Sequence, residues 1–309
     1  MNKTLTVIKI VLPVLTAILL GLAARKRNAL TSEGVTGIKT FVIRFTLPAL
    51  IFGAFYKAAY DYSTLICFLI IFLACCAGYL TGRLIQRVFI KNRPLLPFLT
   101  TGFEMGMMGY ALYIMLFGEE NLSNMAIADL GQVLFVFTVY QTLLNMKKDQ
   151  GIREAVRTMI TTPVFIAIAL GVIFGLTGLG SALSNTEAGG VIEALIEFIG
   201  KPTACAILFA VGYDVKFSKS SMKDAFFAAL ARIGVMAALC FLTLMLLDAL
   251  IFVGSELKWA VILMFALPAP FVLPVFVESE SEAGYVSTCL SLYTLISVGL
   301  FAAIAAVIQ

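Results

Sequence analysis

The sequence predicts an all-helical integral membrane protein with ten transmembrane helices. Of its 309 residues, 61% are hydrophobic and only 13% are charged, whereas soluble domains contain roughly 25% charged residues. Apolar runs of about 20 residues, the length that spans a bilayer, recur along the whole chain. The alternating ten-residue segments of membrane β-barrels do not occur. The predicted spans are 5–24, 38–57, 64–84, 95–117, 123–146, 160–180, 191–213, 225–253, 258–277 and 283–307.

Basic residues concentrate in alternate loops between these spans. The first, third and fifth loops hold four Lys or Arg each and the seventh holds three, which makes 15 of the 22 in the chain. Because basic loops stay in the cytoplasm, we expect the odd-numbered loops there and both termini outside. The apolar N-terminal run ends at "RKR" (25–27), which predicts a retained first span rather than a cleaved signal peptide. The expected location is a cell membrane, either a plasma membrane or a bacterial inner membrane.

The ten spans divide into two groups of five, 1–150 and 151–309, that the sequence relates as inverted repeats. Spans one and six read "VLPVLTAILLGL" and "TTPVFIAIALGVIFGL", each with an early proline followed by small residues. Spans four and nine both contain helix-breaking residues near their midpoints. An odd number of spans per repeat makes the second group run opposite to the first. Matching breaks in the two halves indicate the binding site of a transporter.

The two breaks supply the candidate substrate site. Irregular backbone at membrane depth is tolerated where it lines a protected cavity. A broken helix exposes N–H groups, which bind small anions, and carbonyl groups, which bind cations. Close helix packing and ordinary kinks remain the alternative explanation for either break alone. The breaking residues are the glycines Gly102, Gly106 and Gly109 and the prolines Pro268, Pro270 and Pro274.

Charged residues inside the spans are the candidates for ion coupling. Glu104 lies beside the span-four break, where an unpaired carboxylate is expensive. We expect it to contact substrate and to carry a proton or bind Na⁺, with a purely structural carboxyl as the alternative. Asp129 in span five either lines the same cavity or caps the outer end of its span. Arg44 and Arg232 lie nearer the cytoplasmic ends of their spans and are expected to snorkel.

Span ten offers hydroxyl groups on one helical face. Ser287, Ser291 and Thr294 are spaced by four and three residues, which predicts a polar wall. We assign Ser291 to substrate binding and the other two to ion coupling. Hydroxyls can also bond carbonyls of their own helix, so a structural role stays open. In span two, Pro48 is expected to kink the helix where it faces the site.

Other function classes have little support in the residues. The chain has no histidine, and its six cysteines lie in apolar runs without a CxxC pair, so disulfide and metal sites are not expected. A Walker motif, a ring of pore-lining charges and a pair of catalytic aspartates are all lacking. Basic residues sit in short loops, which gives no support for nucleic-acid binding. We expect a secondary transporter whose partners are a small-molecule substrate and the bilayer, with no cofactor beyond H⁺ or Na⁺. A channel or an intramembrane enzyme is less favoured.

Four stretches carry a resemblance to a known family, and the resemblance extends over most of the chain. They are "TSEGVTGIKTFVIRFTLPALIF" (31–52), "GYALYIMLFGEENLSNMAIADLGQVLFVFT" (109–138), "PAPFVLPVFVESE" (268–280) and "STCLSLYTLISVGLF" (287–301). In these stretches the chain resembles the auxin efflux carrier family, whose bacterial members include proposed malate and malonate permeases. The resemblance implies a carrier of small organic anions such as mono- or dicarboxylates.

The resemblance also implies an architecture, related in outline to the bile acid:sodium symporters. Broken helices four and nine would cross, and spans 3–5 and 8–10 would slide as a transport group against a scaffold of spans 1, 2, 6 and 7. A homodimer through the scaffold is implied in the same way. One stretch departs from the family pattern: many relatives have a Gly-Asn pair and a later proline at the first break, where this chain has "GFEMGMMGYAL" (102–112). Because Glu104 places a carboxyl in the site, a neutral or amphipathic substrate is the alternative.

Overall fold

The chain is helical throughout the part that the computed structural model describes, which comprises residues 3–56, 58, 60–147, 157, 160–277 and 279–308. These residues contain no β-strand. The α-helices are α1 (Lys3–Lys26), α2 (Ser32–Phe41), α3 (Leu47–Tyr56), α4 (Tyr62–Phe89), α5 (Leu96–Leu99), α6 (Tyr110–Phe117), α7 (Leu122–Phe135), α8 (Gln141–Lys147), α9 (Pro163–Leu176), α10 (Leu179–Ser184), α11 (Glu187–Gly200), α12 (Thr203–Asp214), α13 (Met222–Leu250), α14 (Ser255–Ala266) and α15 (Glu280–Ile308).

Seven helical stretches among the described residues are long and apolar enough to cross a membrane. This confirms the prediction of an all-helical, multi-pass membrane protein. The remaining predicted spans, 95–117, 160–180 and 258–277, contain shorter helices, and two of these segments are interrupted near their middle. The arrangement of ten spans as inverted repeats stays a prediction. The seven long stretches are Thr4–Lys26, Ser32–Tyr56, Tyr62–Phe89, Glu119–Met146, Glu187–Asp214, Lys219–Leu250 and Glu280–Ile308.

The helix of the second predicted span, 38–57, begins earlier in the structure than the sequence predicts. Its helix starts at Ser32 rather than at residue 38, because Thr31 is an N-cap whose side-chain oxygen accepts the N–H of Gly34. The stretch includes a π-helical turn, Val42–Thr46. Pro48 follows this turn and lacks the N–H that would bond the carbonyl of Arg44, which accounts for the irregularity expected in span two.

Two helix pairs form the first packed group. The helix α1 packs most extensively against α12, and α3 packs most extensively against α9. Glycines permit the first contact: a Cβ at Gly21 would lie 1.9 Å from the carbonyl oxygen of Phe209, and one at Gly212 would lie 2.0 Å from that of Ile18. Helices in lipid approach closely where small residues meet, since lipid tails offer no competing hydrophobic drive.

A second packed group contains both interrupted segments. Within it α4 lies against α7 and α13, α13 lies against α15, and α14 lies against α7. Large apolar side chains on the outer surface are exposed, for example Leu73 at 62% and Phe241 at 72%. In water such a surface would be costly, whereas acyl chains are as apolar as leucine. The polar side chains of Asp129, Gln132 and Arg232 are buried inside this group, away from that surface.

Candidate transport site

The first break separates α5 from the helical stretch Met105–Phe117. Gly102 has φ +66°, a left-handed conformation that residues with a Cβ rarely adopt. A Cβ at this position would also lie 2.9 Å from Cγ of Pro270, so the absence of a side chain lets the second break approach. Gly102, one of the three glycines predicted to break this span, therefore lies at the break.

The second break begins where α14 ends at Ala266. Pro270 has no N–H to bond the carbonyl four residues earlier, which belongs to Ala266. That carbonyl is satisfied from another helix, because the hydroxyl of Ser297 donates to it at 2.6 Å. A short 3₁₀ helix, Leu273–Phe276, resumes after the break and includes Pro274. The prolines therefore end α14 at Ala266, and the hydroxyl of Ser297 in α15 makes the hydrogen bond that Pro270 cannot donate.

The two breaks touch directly. The backbone N–H of Glu104 donates to the carbonyl of Pro268 at 2.9 Å, which joins the segments across 164 residues of sequence. We call these two segments, 99–107 and 267–272, the crossing. Backbone groups on both sides are therefore partly satisfied by each other, as polar groups at membrane depth must be.

The N–H groups at the crossing are bound by Glu104. Its Oε1 accepts the N–H of Met107 at 3.1 Å, at the start of the first resumed helix. Its Oε2 accepts the N–H of Phe271 at 2.5 Å, just after the second break. The sequence reading left these N–H groups for the substrate anion. That expectation is wrong for these two groups, because the chain's own carboxylate occupies the place.

The carbonyl groups at the crossing are bound by Arg232 of α13. Its Nη1 donates to Leu99, and its Nη2 donates to Gly102 and to Leu267, each at 2.9 Å. The side chain is buried, with 4% of the residue exposed. The expectation that Arg232 snorkels to the cytoplasmic surface is therefore wrong. Three carbonyl oxygens inside the protein offer the hydrogen bonds that snorkelling would find in water.

A cavity of about 230 Å³ lies beside the crossing. Its walls come from the end of α12, from the segment after the second break and from the first half of α15. The three hydroxyl residues predicted to form a polar wall all line it. Other lining residues include Asp214, Lys216, Phe271 and Pro274. The cavity thus reaches the break at Phe271, whose N–H contacts Glu104.

Two of the three hydroxyl groups already have protein partners. The Ser291 hydroxyl accepts the backbone N–H of Lys216 at 2.8 Å, and that of Thr294 donates to the carbonyl of Leu290 at 2.8 Å in its own helix. Ser287 is partly exposed in the cavity wall. Span ten therefore supplies the polar wall, and one of its hydroxyls, that of Thr294, also bonds its own helix, as the alternative expected.

The mouth of this cavity is basic. Arg25 donates to the carbonyl of Val215 at 2.8 Å, and Lys39 forms an ion pair with Asp214. Lys216 is an exposed lining residue. Lys216 thus lines the cavity, and Arg25 and Lys39 contact its lining residues, among which Asp214 is the carboxylate. The positive balance attracts anions from solution.

The chain is similar to known membrane transport proteins. Residues 6–303 match the sequence profile of the family described as membrane transport protein. The chain belongs to this family. It is the auxin efflux carrier family to which the sequence motifs point. The chain is also 26% identical, over 93% of its length and 93% of the relative's, to an uncharacterized transporter of Methanothermobacter thermautotrophicus. Family membership makes the protein a membrane transporter rather than an enzyme.

Asp129 of this transporter lies inside the second packed group, midway along α7. Only 2% of the residue is exposed, and its Oδ2 accepts the hydroxyl of Tyr110 at 2.9 Å. It therefore does not cap the outer end of its span, which was one of the two expectations. Its second oxygen, Oδ1, is buried without a hydrogen-bond partner among the described residues.

Gln132 was missed in the sequence reading. It is buried one turn after Asp129, and its Nε2 donates to the carbonyl of Phe103 at 2.9 Å, inside the crossing. Its Oε1, like Oδ1 of Asp129, is buried with no partner among the described residues. Each of these buried acceptors would be stabilised by a hydrogen-bond donor or a cation. The signal was available as a glutamine inside an apolar run.

The remaining predicted glycines serve packing. A Cβ at Gly106 would lie 3.2 Å from Cδ2 of Leu47, and one at Gly109 would lie 2.9 Å from Cδ1 of Leu267. Gly106 thus faces the first packed group, and Gly109 faces the second break. Both keep the resumed helix close to its neighbours, which is the alternative that the sequence left open for them.

Proposed function

We propose that the protein is a secondary active transporter of small organic anions, such as mono- or dicarboxylates, coupled to H⁺ or Na⁺. The observation that carries the proposal is the direct contact of two broken helices, Glu104 N–H to Pro268 carbonyl at 2.9 Å, beside a cavity of about 230 Å³. Breaks in corresponding spans are where transporters bind substrate and ion. A channel would instead need a continuous lined pore.

The proposed architecture is ten spans in two inverted repeats, 1–150 and 151–309. If span one corresponds to span six and span two to span seven, the α1–α12 contact and the α9–α3 contact are equivalent. Those are the most extensive pairings within the first packed group, which supports the repeat. The first group is then the scaffold (spans 1, 2, 6 and 7), and the second is the moving group (spans 3–5 and 8–10) of an elevator mechanism.

The proposed substrate position is the cavity rather than the helix ends. The N–H groups of Met107 and Phe271 already bond the carboxylate of Glu104, so an added anion would compete with a tethered one. The cavity has hydroxyls on one wall, Lys216 on another and a basic mouth. It also lies between the proposed scaffold and the moving group, where sliding would open or close it.

For ion coupling we propose Glu104 and Asp129, with the cavity hydroxyls of Ser287 and Thr294 as secondary ligands. Glu104 connects the cavity to both breaks, and Asp129 has a buried acceptor without a partner in the described part of the chain. Either carboxylate would be stabilised by taking up a proton or a cation at membrane depth.

The proposed location is a plasma or bacterial inner membrane, with both termini outside and the basic loops in the cytoplasm. The basic mouth of the cavity is formed by residues of these loops, so the cavity would open to the cytoplasm. A homodimer through the scaffold remains part of the proposal.

A neutral or amphipathic solute is the second candidate. It is favoured by one observation, namely that Glu104 already neutralises the two N–H groups that an anion would otherwise use. Such a solute would need only hydroxyl contacts and the apolar side chain of Phe271, both of which the cavity wall supplies.

A thermal-shift experiment on the purified protein tests the assignment. Mono- and dicarboxylates, neutral analogues and cationic analogues are compared in Na⁺ and in K⁺ at pH 5.5 and 7.5, since a ligand of the folded state raises Tm by mass action. We expect a carboxylate to raise Tm. We also expect Ser287→Leu, which fills the cavity, to abolish the shift, while Thr138→Leu at an exposed position leaves it intact. A shift from neutral or cationic compounds alone would overturn the organic-anion proposal.

A further inference from the structure

The crossing presents three backbone carbonyl groups to one point. Leu99 ends α5, Gly102 lies in the first break and Leu267 begins the second. Carbonyls at the ends of broken helices carry partial negative charge and, in transporters, coordinate the coupling cation. Three oxygens from two different segments would form a substantial part of the shell around a sodium ion.

In this protein a guanidinium group fills that point. Arg232 bonds all three oxygens at 2.9 Å and is 4% exposed. Aromatic rings flank the charge: its Cζ lies 5.3 Å from the ring centroid of Tyr293 and 5.9 Å from that of Phe103. No carboxylate of the described residues forms an ion pair with it. The carbonyls and rings are what stabilise the buried charge.

We propose that Arg232 is a tethered substitute for a coupling cation, so that the crossing binds no Na⁺ and the transporter works without it. This inference rests on the proposed function, in which the crossing is the place for ion coupling, and it removes the sodium alternative there. A guanidinium group carries five donors in a rigid fork and stays protonated, so it holds all three carbonyls permanently. A free cation would be released in each cycle, whereas Arg232 moves with α13.

Arginine also explains how the two breaks stay together. A planar fork can reach oxygens on separate segments, which a lysine ammonium on a flexible stem does less well. The Nη2 atom alone bridges Gly102 in one break to Leu267 in the other. Arg232 therefore acts as a positioning residue for the crossing as well as its fixed positive charge.

Thermal stability in different cations tests the inference on the full-length purified protein. The wild-type Tm should be the same in NaCl and in KCl at equal ionic strength. In Arg232→Ala the Tm should fall, and millimolar guanidinium chloride should raise it by several degrees relative to equimolar KCl. NaCl should also raise the Tm of this variant, because the vacated carbonyls become a cation site. Arg44→Ala, which changes an exposed arginine of the π-helical turn Val42–Thr46, should show neither recovery.

Two results would overturn the inference: a wild-type Tm that rises in Na⁺ relative to K⁺, or a folded Arg232→Ala protein that guanidinium does not stabilise. If Arg232→Ala fails to fold, Arg232→Lys keeps the charge and should remain insensitive to Na⁺; a sodium-dependent rise there counts against the inference. These measurements involve no substrate. A failure to find a transported anion would therefore leave them unchanged and would count against the proposed function alone.

Discussion

Glu104 binds N–H groups of the crossing and Arg232 binds its carbonyl groups, yet the surroundings of the two side chains differ. Arg232 is buried and binds three carbonyls, two of them through one nitrogen. Glu104 is partly buried, binds two N–H groups and connects through Phe271 to the cavity. Both charges neutralise helix ends, but only the carboxylate bonds a residue, Phe271, that lines this cavity.

This difference separates a fixed element from one that can respond. A group that is enclosed by protein and always charged gives the crossing a constant positive charge. A partly buried carboxylate that bonds a cavity-lining residue can gain a proton or exchange a hydrogen bond when a ligand arrives. We therefore expect changes at Arg232 to affect folding most and changes at Glu104 to affect transport most.

The largest expected effect is on stability in Arg232→Met. Methionine fills a similar volume but leaves three buried carbonyls without a donor, and each unsatisfied group costs about 1–3 kcal/mol. The Tm of the purified variant should fall by far more than that of Arg44→Met, whose arginine is exposed. A small loss at position 232 would mean that water or rearranged backbone satisfies these carbonyls, and the contrast with Glu104 would fail.

Glu104→Gln should reverse the pattern, with a moderate loss of stability and a severe loss of coupled transport. Glutamine offers one acceptor oxygen where glutamate accepts from Met107 and Phe271. Hydrogen bonds to a charged group contribute about 1.5–3 kcal/mol, so we expect the Tm of this variant to fall by a few degrees.

The transport readout is initial uptake into proteoliposomes between pH 5.5 and 7.5. Its pH dependence should disappear in Glu104→Gln and persist in Glu120→Gln, which changes an exposed carboxylate of the 3₁₀ helix Glu119–Asn121. Unchanged pH dependence at position 104 would remove Glu104 from coupling and leave Asp129 as the candidate.

The sequence indicated where the helices break but not what completes the breaks. The glycines in "GFEMG" act locally through their freedom in φ, and the prolines in "LPAPFVLP" act locally through their missing N–H groups. The sequence alone therefore shows where they interrupt a helix. Arg232 reaches carbonyls 130 or more residues earlier in the chain, and Ser297 reaches Ala266. Such contacts depend on how distant helices pack. A lone arginine or glutamine in an apolar run was the available signal.

Pro270→Ala should weaken substrate binding more than it lowers stability. The alanine regains an N–H, but its helical partner, the carbonyl of Ala266, is already bonded by Ser297. The fold therefore gains and loses little, while the backbone near Phe271 loses the constraint that presents it to Glu104 and the cavity. Pro163→Ala, at the first turn of α9, is the matched control.

Isothermal titration with the anion identified by thermal shift measures the effect of Pro270→Ala. We expect a weaker Kd with a Tm close to wild type. A lower Tm with unchanged Kd would make Pro270 a structural residue only, and would place the responsive part of the crossing at Glu104 alone.

The smallest effect is expected from Ser291→Ala on the cavity wall. The substitution removes the acceptor for the backbone N–H of Lys216, a neutral hydrogen bond that contributes about 0.5–1.5 kcal/mol. If the wall positions Lys216 for an anion, Kd should weaken several-fold for a carboxylate but not for a neutral analogue. Thr138→Val is the control, because its hydroxyl lies outside the cavity and bonds only the carbonyl of Leu134 in its own helix. Equal losses for both ligands would mean that the wall contributes shape rather than charge, and would favour the neutral solute over the anion.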